Sequence, residues 1–115
     1  MGPEAEFRAH LRAGRFMIQR SRSTGQHVFY PRVSAPQGQQ DLEWVKASGD
    51  GVVYAVTVNR ARDGAYNIAL VDLAEGPRMM SRIDGVESLP IGAAVRARID
   101  GTAEEPIIVF DPVSL

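Results

Sequence analysis

The second half of the chain is a succession of short alternating segments separated by turns rich in glycine and proline, and this leaves few folds open. In "AAVRARID", Val95, Ala97 and Ile99 fall on one side and Arg96 and Arg98 on the other, the period of two that a half-buried strand requires. "VVYAVTVNR" and "YNIALVDLA" are β-branched and aromatic runs joined by the turn-prone "ARDGA", and "PRMMSRID" follows Gly76. "PIIVF" is continuously apolar, as a strand buried on both sides would be. Met79 and Met80 are adjacent on one strand and must face opposite ways, one into a core and one outward. Five strands with no second helix predict a small antiparallel barrel of the oligonucleotide/oligosaccharide-binding (OB) type. "VESLPIGAAV" falls between the third and fourth strands, where that fold commonly inserts a helix or a loop.

Ahead of the barrel, "GPEAEFRAHLRAGRF" carries Pro3 at a first helical position, Glu4 and Glu6 in the first turn, and Gly14 where a helix would stop. Phe7 and Leu11 share a face. Such a short helix is marginal alone and must dock, on its own domain or on a partner. "RFMIQR" is a short strand, and residues 31 to 40, with Pro31, Pro36, Gly38 and three glutamines, form a loop by composition. "DLEWVKAS" is a further strand, in which Trp44 anchors the junction between the two parts. The Gly49-Asp50-Gly51 turn follows, and its glycines allow positive φ at the sharp bend into the barrel. The organisation expected is therefore residues 1–40, a helix and a ribbon-like segment, followed by residues 41–115, the barrel.

Composition narrows the chemistry. A chain of 115 residues suits one compact domain. It contains no cysteine, which removes disulfides, thiolate metal sites and cysteine nucleophiles and fits a reducing cytoplasm. The net charge of −1 lacks the positive field of a nucleic-acid binder. Lys46 is the only lysine among 13 cationic residues, and the arginines offer planar forks suited to carboxylates and phosphates. No stretch approaches the length of a membrane span, and no apolar signal core is visible near the start, so a cytoplasmic protein is expected. Nucleophile-elbow, zinc-protease and phosphate-loop motifs are all missing. Glu104, Glu105, Asp84 and Glu87 lie in turn-like segments where carboxylates are ordinarily solvated. The chain reads as non-catalytic.

The order of features, a short helix, a ribbon, a Trp-bearing strand, a Gly-x-Gly turn and a five-stranded barrel, resembles the zinc-ribbon/OB-fold family associated with acyl-CoA metabolism, domain of unknown function thirty-five. "LRAGRFMIQR", "FYPR", "DLEWVKASGDGVVYAVTVNR", "ALVDLAEGPRMMSRIDG" and "PIGAAVRARID" carry the likeness. The family's ribbon holds zinc with two C-x2-C pairs ten residues apart. The corresponding positions here are Ser21, Thr24, Ala35 and Gly38, with the spacing kept and every ligand lost. Hydroxyls, a methyl and a hydrogen atom cannot replace thiolates, and His10 and His27 lack ligand spacing, so no zinc is expected. The ribbon is then a degenerate, metal-free one of rubredoxin-like outline, ordered by packing of Phe29, Tyr30, Val33 and Leu42 against the barrel or a partner, or else mobile.

The resemblance implies a non-catalytic accessory subunit of a thiolase or a lipid-transfer-type aldolase, stabilising that enzyme and helping present a coenzyme A thioester. On this reading Phe7, Leu11, Phe29 and Tyr30 are apolar docking anchors with Arg32 at the rim. Arg60, Arg62, Arg78 and Arg82 are candidates for the phosphates of coenzyme A. No other tightly bound cofactor is expected. The rival is a single-stranded nucleic-acid module using Arg96, Arg98, Tyr54 and Tyr66, and a third option is an acyl-CoA carrier acting alone.

Overall fold

A computed structural model describes residues 2–33, 40–102 and 104–113. Helix α1 (Pro3–Arg12) starts with proline in its first turn and ends as the sequence predicts. The Gly14 amide bonds to the Leu11 carbonyl and the Arg15 amide to the His10 carbonyl, both at 2.9 Å. This is a Schellman cap, and Gly14 supplies the positive φ of 81° that it needs.

The helix leads into a three-stranded antiparallel sheet of β1 (Met17–Ser21), β2 (His27–Val28) and β3 (Leu42–Lys46), in the order β2-β1-β3. β3 lies beyond residue 40, yet it pairs with β1 along its whole length, Met17 opposite Lys46 through Ser21 opposite Leu42. Trp44 does not anchor the junction with the barrel as the sequence suggests. Its indole nitrogen donates to Glu6 Oε2 at 2.8 Å, and its ring lies 6.4 Å from that of Phe7 and 5.2 Å from that of His10. It therefore fastens the helix to the small sheet.

The remaining strands are β4 (Asp50–Ala61), β5 (Gly64–Leu73), β6 (Arg78–Ser81), β7 (Ala94–Asp100) and β8 (Ile107–Pro112), in the order β6-β5-β4-β7-β8. A parallel bridge between Ile83 and Phe110 brings the two edges together. This is the partly open five-stranded barrel expected from the alternation. The alternation itself holds, with Val95 buried and Arg96 and Arg98 exposed, and with Met79 buried beneath an exposed Met80. Ile108, Val109 and Phe110 are all buried.

Two local devices shape the barrel. Gly51 lies between Leu73 of β5 and Val95 of β7. A Cβ there would sit 2.7 Å from Val71 Cγ1 and 3.0 Å from the Asp72 carbonyl oxygen. Of the paired glycines only Gly49 takes a positive φ, 86°; Gly51 is needed for room rather than for conformational freedom. The second device is buried Asn67. Its side-chain oxygen accepts the Ile83 amide at 2.8 Å, and its amide donates to the carbonyl oxygens of Ile83 at 2.9 Å and of Val86 and Glu87 at 3.3 Å. These bonds hold the connection between β6 and β7 as a loop, so no helix is required there.

Candidate functional site

The barrel leaves a gap between β6 and β8, and the helix and the segment after β2 close over it. Leu11 reaches through to the barrel core and is 4% exposed, in a cluster with Met79, Ile108 and Phe110. Burying it fully contributes about 1.5–3 kcal/mol, which supplies the docking that so short a helix needs. What stays open is a groove of about 450 Å³ walled by Phe7, Leu11, Phe29, Tyr30, Met79, Met80, Ile107 and Ile108. Phe29 packs edge-on against Phe7 with ring centroids 5.5 Å apart. The Tyr30 hydroxyl accepts the Met80 amide at 3.3 Å, satisfying a backbone donor at the barrel's edge.

The anchor residues expected from sequence therefore divide. Tyr30 is 54% exposed and faces outward at the groove rim. Leu11 is committed to the protein's own core and is not available to a partner, while Phe7 and Phe29 are half-buried supports. The backbone of Arg32 is held by Gln19. Of the methionine pair, which the sequence expects to face opposite ways, Met79 is the buried one and Met80 the outward one; the sequence reading missed Ile107, although its phase, opposite to buried Ile108, marks it as outward-facing. Tyr54, Tyr66 and Ile68 are exposed on β4 and β5.

The four arginines suggested for coenzyme A do not form one cluster. Arg60 pairs across β4 and β5 with Ala65, whereas Arg78 lies opposite Asp72 at the other end of β5. Seven residues of strand put them roughly 23 Å apart. Arg78 donates to Asp72 at 2.6 Å and covers the Tyr54 ring at 3.3 Å. Arg82 is tied to Asp84 at 2.9 Å and Asp100 at 2.8 Å, and Arg60 to Glu87 at 2.5 Å. Arg62, in the β4–β5 turn, has no ion pair among the described residues. The arginines of the nucleic-acid reading are engaged too, Arg96 with Asp50 at 3.2 Å, and Arg98 with Asp111 and Asp84 at 2.8 Å each. Neither leaves an open basic groove.

Of the positions that the sequence resemblance aligns with zinc ligands, Ser21 and Thr24 offer only hydroxyls, and Ala35 and Gly38 lie outside the described residues. Among the described residues no group of three or more His, Cys, Asp and Glu could hold a metal ion. The donor set does not fit tetrahedral zinc. No helix among them is long and apolar enough to cross a membrane.

Four carboxylates sit below the usual carboxylate range. Asp41 is held down by hydroxyl bonds from Ser21 and Ser23, Glu43 by Arg20 with help from Arg22, and Asp100 by the Thr102 hydroxyl. At Asp84 burial pulls upward, but the hydrogen bonds from Arg82 and Arg98 outweigh it. Each group binds protons more tightly when unfolded, so its stabilising effect is complete above the unfolded pKa and is lost as pH falls through the folded one. The melting temperature should accordingly be level between about pH 6 and 8 and drop below about pH 4. Calorimetry across that range checks this; a melting temperature unchanged or higher in acid would contradict it.

Residues 44–100 match the family described as ChsH2, C-terminal OB-fold domain. Among solved structures, a chain of the Ltp2-ChsH2(DUF35) aldolase superposes with a TM-score of 0.85 at 26% identity, covering 97% of this chain and 95% of that one. A DUF35-family protein of unknown function from Sulfolobus solfataricus superposes at 0.70 with 15% identity, over 94% and 83% of the two chains, and shares the fold. No functionally curated protein matches the sequence. With its OB strand order, its closing bridge and these matches, the chain carries over residues 44–100 the OB-fold domain of the ChsH2 type, and as a whole it is similar to DUF35 proteins while containing no cysteine.

Proposed function

We propose that the chain is a non-catalytic, cytoplasmic accessory subunit of a thiolase-superfamily enzyme, a thiolase or a lipid-transfer-type aldolase, stabilising it and helping present a coenzyme A thioester. The observation that carries this reading is the near end-to-end likeness to a chain of the Ltp2-ChsH2(DUF35) aldolase. The geometry supports it. The surface acids and arginines largely neutralise one another, while exposed apolar side chains gather around the groove and on β4 and β5. Tyr30, Met80 and Ile107 face the partner, with Tyr54, Tyr66 and Ile68 extending the contact. Phe7, Leu11 and Phe29 shape that surface from behind, and Arg32 borders it.

The groove then joins the two parts of the chain: the helix and the segment after β2 build one wall and the barrel builds the other. Arg62, at the β4–β5 turn and without an ion pair among the described residues, is on this reading the candidate for a coenzyme A phosphate, whereas Arg60 is engaged with Glu87. Arg78 and Arg82 serve the barrel instead.

Co-expression with a thiolase-like protein encoded beside this chain should yield a stable complex. Met80→Glu, on an exposed side chain, should weaken that complex about tenfold or more while leaving the circular dichroism spectrum unchanged. A chain that stays alone when co-expressed, or a variant that binds as well as the parent, would count against the reading. Calorimetry with coenzyme A checks the thioester role separately.

A further inference from the structure

We propose that two hydrogen-bonded side-chain clamps, Ser21 with Asp41 and Gln19 with Arg32, fasten the three-stranded sheet without any metal ion. Ser21 ends β1, is 0% exposed, and occupies the first position that the sequence resemblance aligns with a zinc ligand. Its hydroxyl donates to Asp41 Oδ1 at 2.8 Å and accepts the Thr24 amide at 3.3 Å. A thiolate there would accept an amide and bind a metal; the hydroxyl accepts the same amide and turns its proton onto a carboxylate. The other oxygen of Asp41 accepts the Ser23 amide at 2.6 Å, and the Arg22 amide donates to the Asp41 carbonyl at 3.3 Å. The turn from Ser21 to Gln26 is thereby tied to the residue just ahead of β3. The Ser21 amide bonds back to the Gln26 carbonyl at 2.9 Å, which completes the turn.

Buried Gln19 forms the second clamp. Its side-chain amide donates to the Arg32 carbonyl at 2.7 Å, and its side-chain oxygen accepts the Arg32 amide at 2.7 Å. One side chain thus satisfies both backbone groups of Arg32 as a neighbouring strand would, and it positions the segment that carries Phe29 and Tyr30. On the outer side Glu43 receives Arg20 at 2.6 Å and Arg22 at 3.1 Å, again joining β1 to β3.

Apolar packing explains only part of the order of this sheet: of the four residues expected from sequence, Phe29 packs against Phe7 and the core cluster, and the other three contribute less. Val33 is 74% exposed, Tyr30 faces solvent, and Leu42 is only half-buried. Within the three strands only Ile18 and Val28 are buried apolar side chains. The polar side chains that are buried there, Gln19 and Ser21, are the clamp residues themselves. Ser21 makes a charge-assisted hydrogen bond to the Asp41 carboxylate, and Gln19 gives a buried amide its partners in the Arg32 backbone. This inference does not depend on the docking reading.

Amide hydrogen exchange on the full chain tests it, residue by residue, for the parent protein, Asp41→Ala and Gln19→Leu, each with chelator and with added zinc. Asp41→Ala should speed exchange of the Ser23 and Thr24 amides about 10- to 100-fold, the ratio lost with hydrogen bonds to a charged group. Gln19→Leu should do the same at Arg32. The amides of Val53 and Val71 in the barrel should be unchanged, and neither chelator nor zinc should alter any of these rates. If Asp41→Ala does not fold, Asp41→Asn, which keeps one acceptor oxygen, should show a smaller increase at the same amides. Parent-like exchange in the turn of the Asp41 variants, or slower exchange in the parent on adding zinc, would overturn the proposal.

Discussion

Phe110→Ala is expected to lower the free energy of unfolding by about 3–5 kcal/mol, the loss typical of removing a fully buried phenylalanine. The ring is 0% exposed, and its position concentrates the effect. The Phe110 amide donates to the Arg82 carbonyl at 3.0 Å, and its carbonyl accepts the Asp84 amide at 2.9 Å, so the same residue makes the bridge that closes the barrel. Truncation opens a cavity at that closure, beneath Leu11 and Ile83. Domains of this size have only about 5–15 kcal/mol to lose. Urea denaturation should show a much lower midpoint, or no cooperative transition at all. A loss under about 1 kcal/mol would mean that the neighbouring side chains refill the site.

Asn67→Leu should be nearly as damaging, for a different reason. Leucine is close to asparagine in size, but it leaves the Ile83 amide and carbonyl buried without a partner, at about 1–3 kcal/mol for each. The same substitution releases the loop around Val86 and Glu87, and with it the Arg60–Glu87 pair. Denaturation reads the global loss; rapid exchange of the Ile83 amide reads the local one. An Asn67→Leu protein as stable as the parent would show that the loop holds itself without the side chain.

Strand positions and facing were legible because alternation is local: the inward Val95 and outward Arg96 and Arg98 follow from spacing alone. So did the helix, from Pro3 and Gly14. Partner choice was not legible, since nothing in "DLEWVKAS" says that β3 joins β1 and not the barrel. Several arginines misled for the same reason, because some of their acids are distant in sequence, Asp100 eighteen residues from Arg82 and Asp50 forty-six from Arg96. Leu11 was assigned to a partner's surface because a helix face looks alike whether it docks inward or outward. One signal was present and unused. Asn67 shares its phase with Ala69, Val71 and Leu73, all buried, and an amide on an inward face must bond to something. Gln19 and Ser21, buried with Ile18 on the short strand β1, pose the same question.

The wedge of the helix into the barrel's gap sets an order of events during synthesis. Arg12 meets Glu105 across 93 positions of chain, and Leu11 packs with Ile108. During synthesis the helix therefore waits, its apolar stripe uncovered, until β8 has emerged. Such long-range closure slows folding and lengthens the interval in which sticky surface is on display. A nascent chain of this design has reason to meet a chaperone, or its own assembly partner, before it is finished.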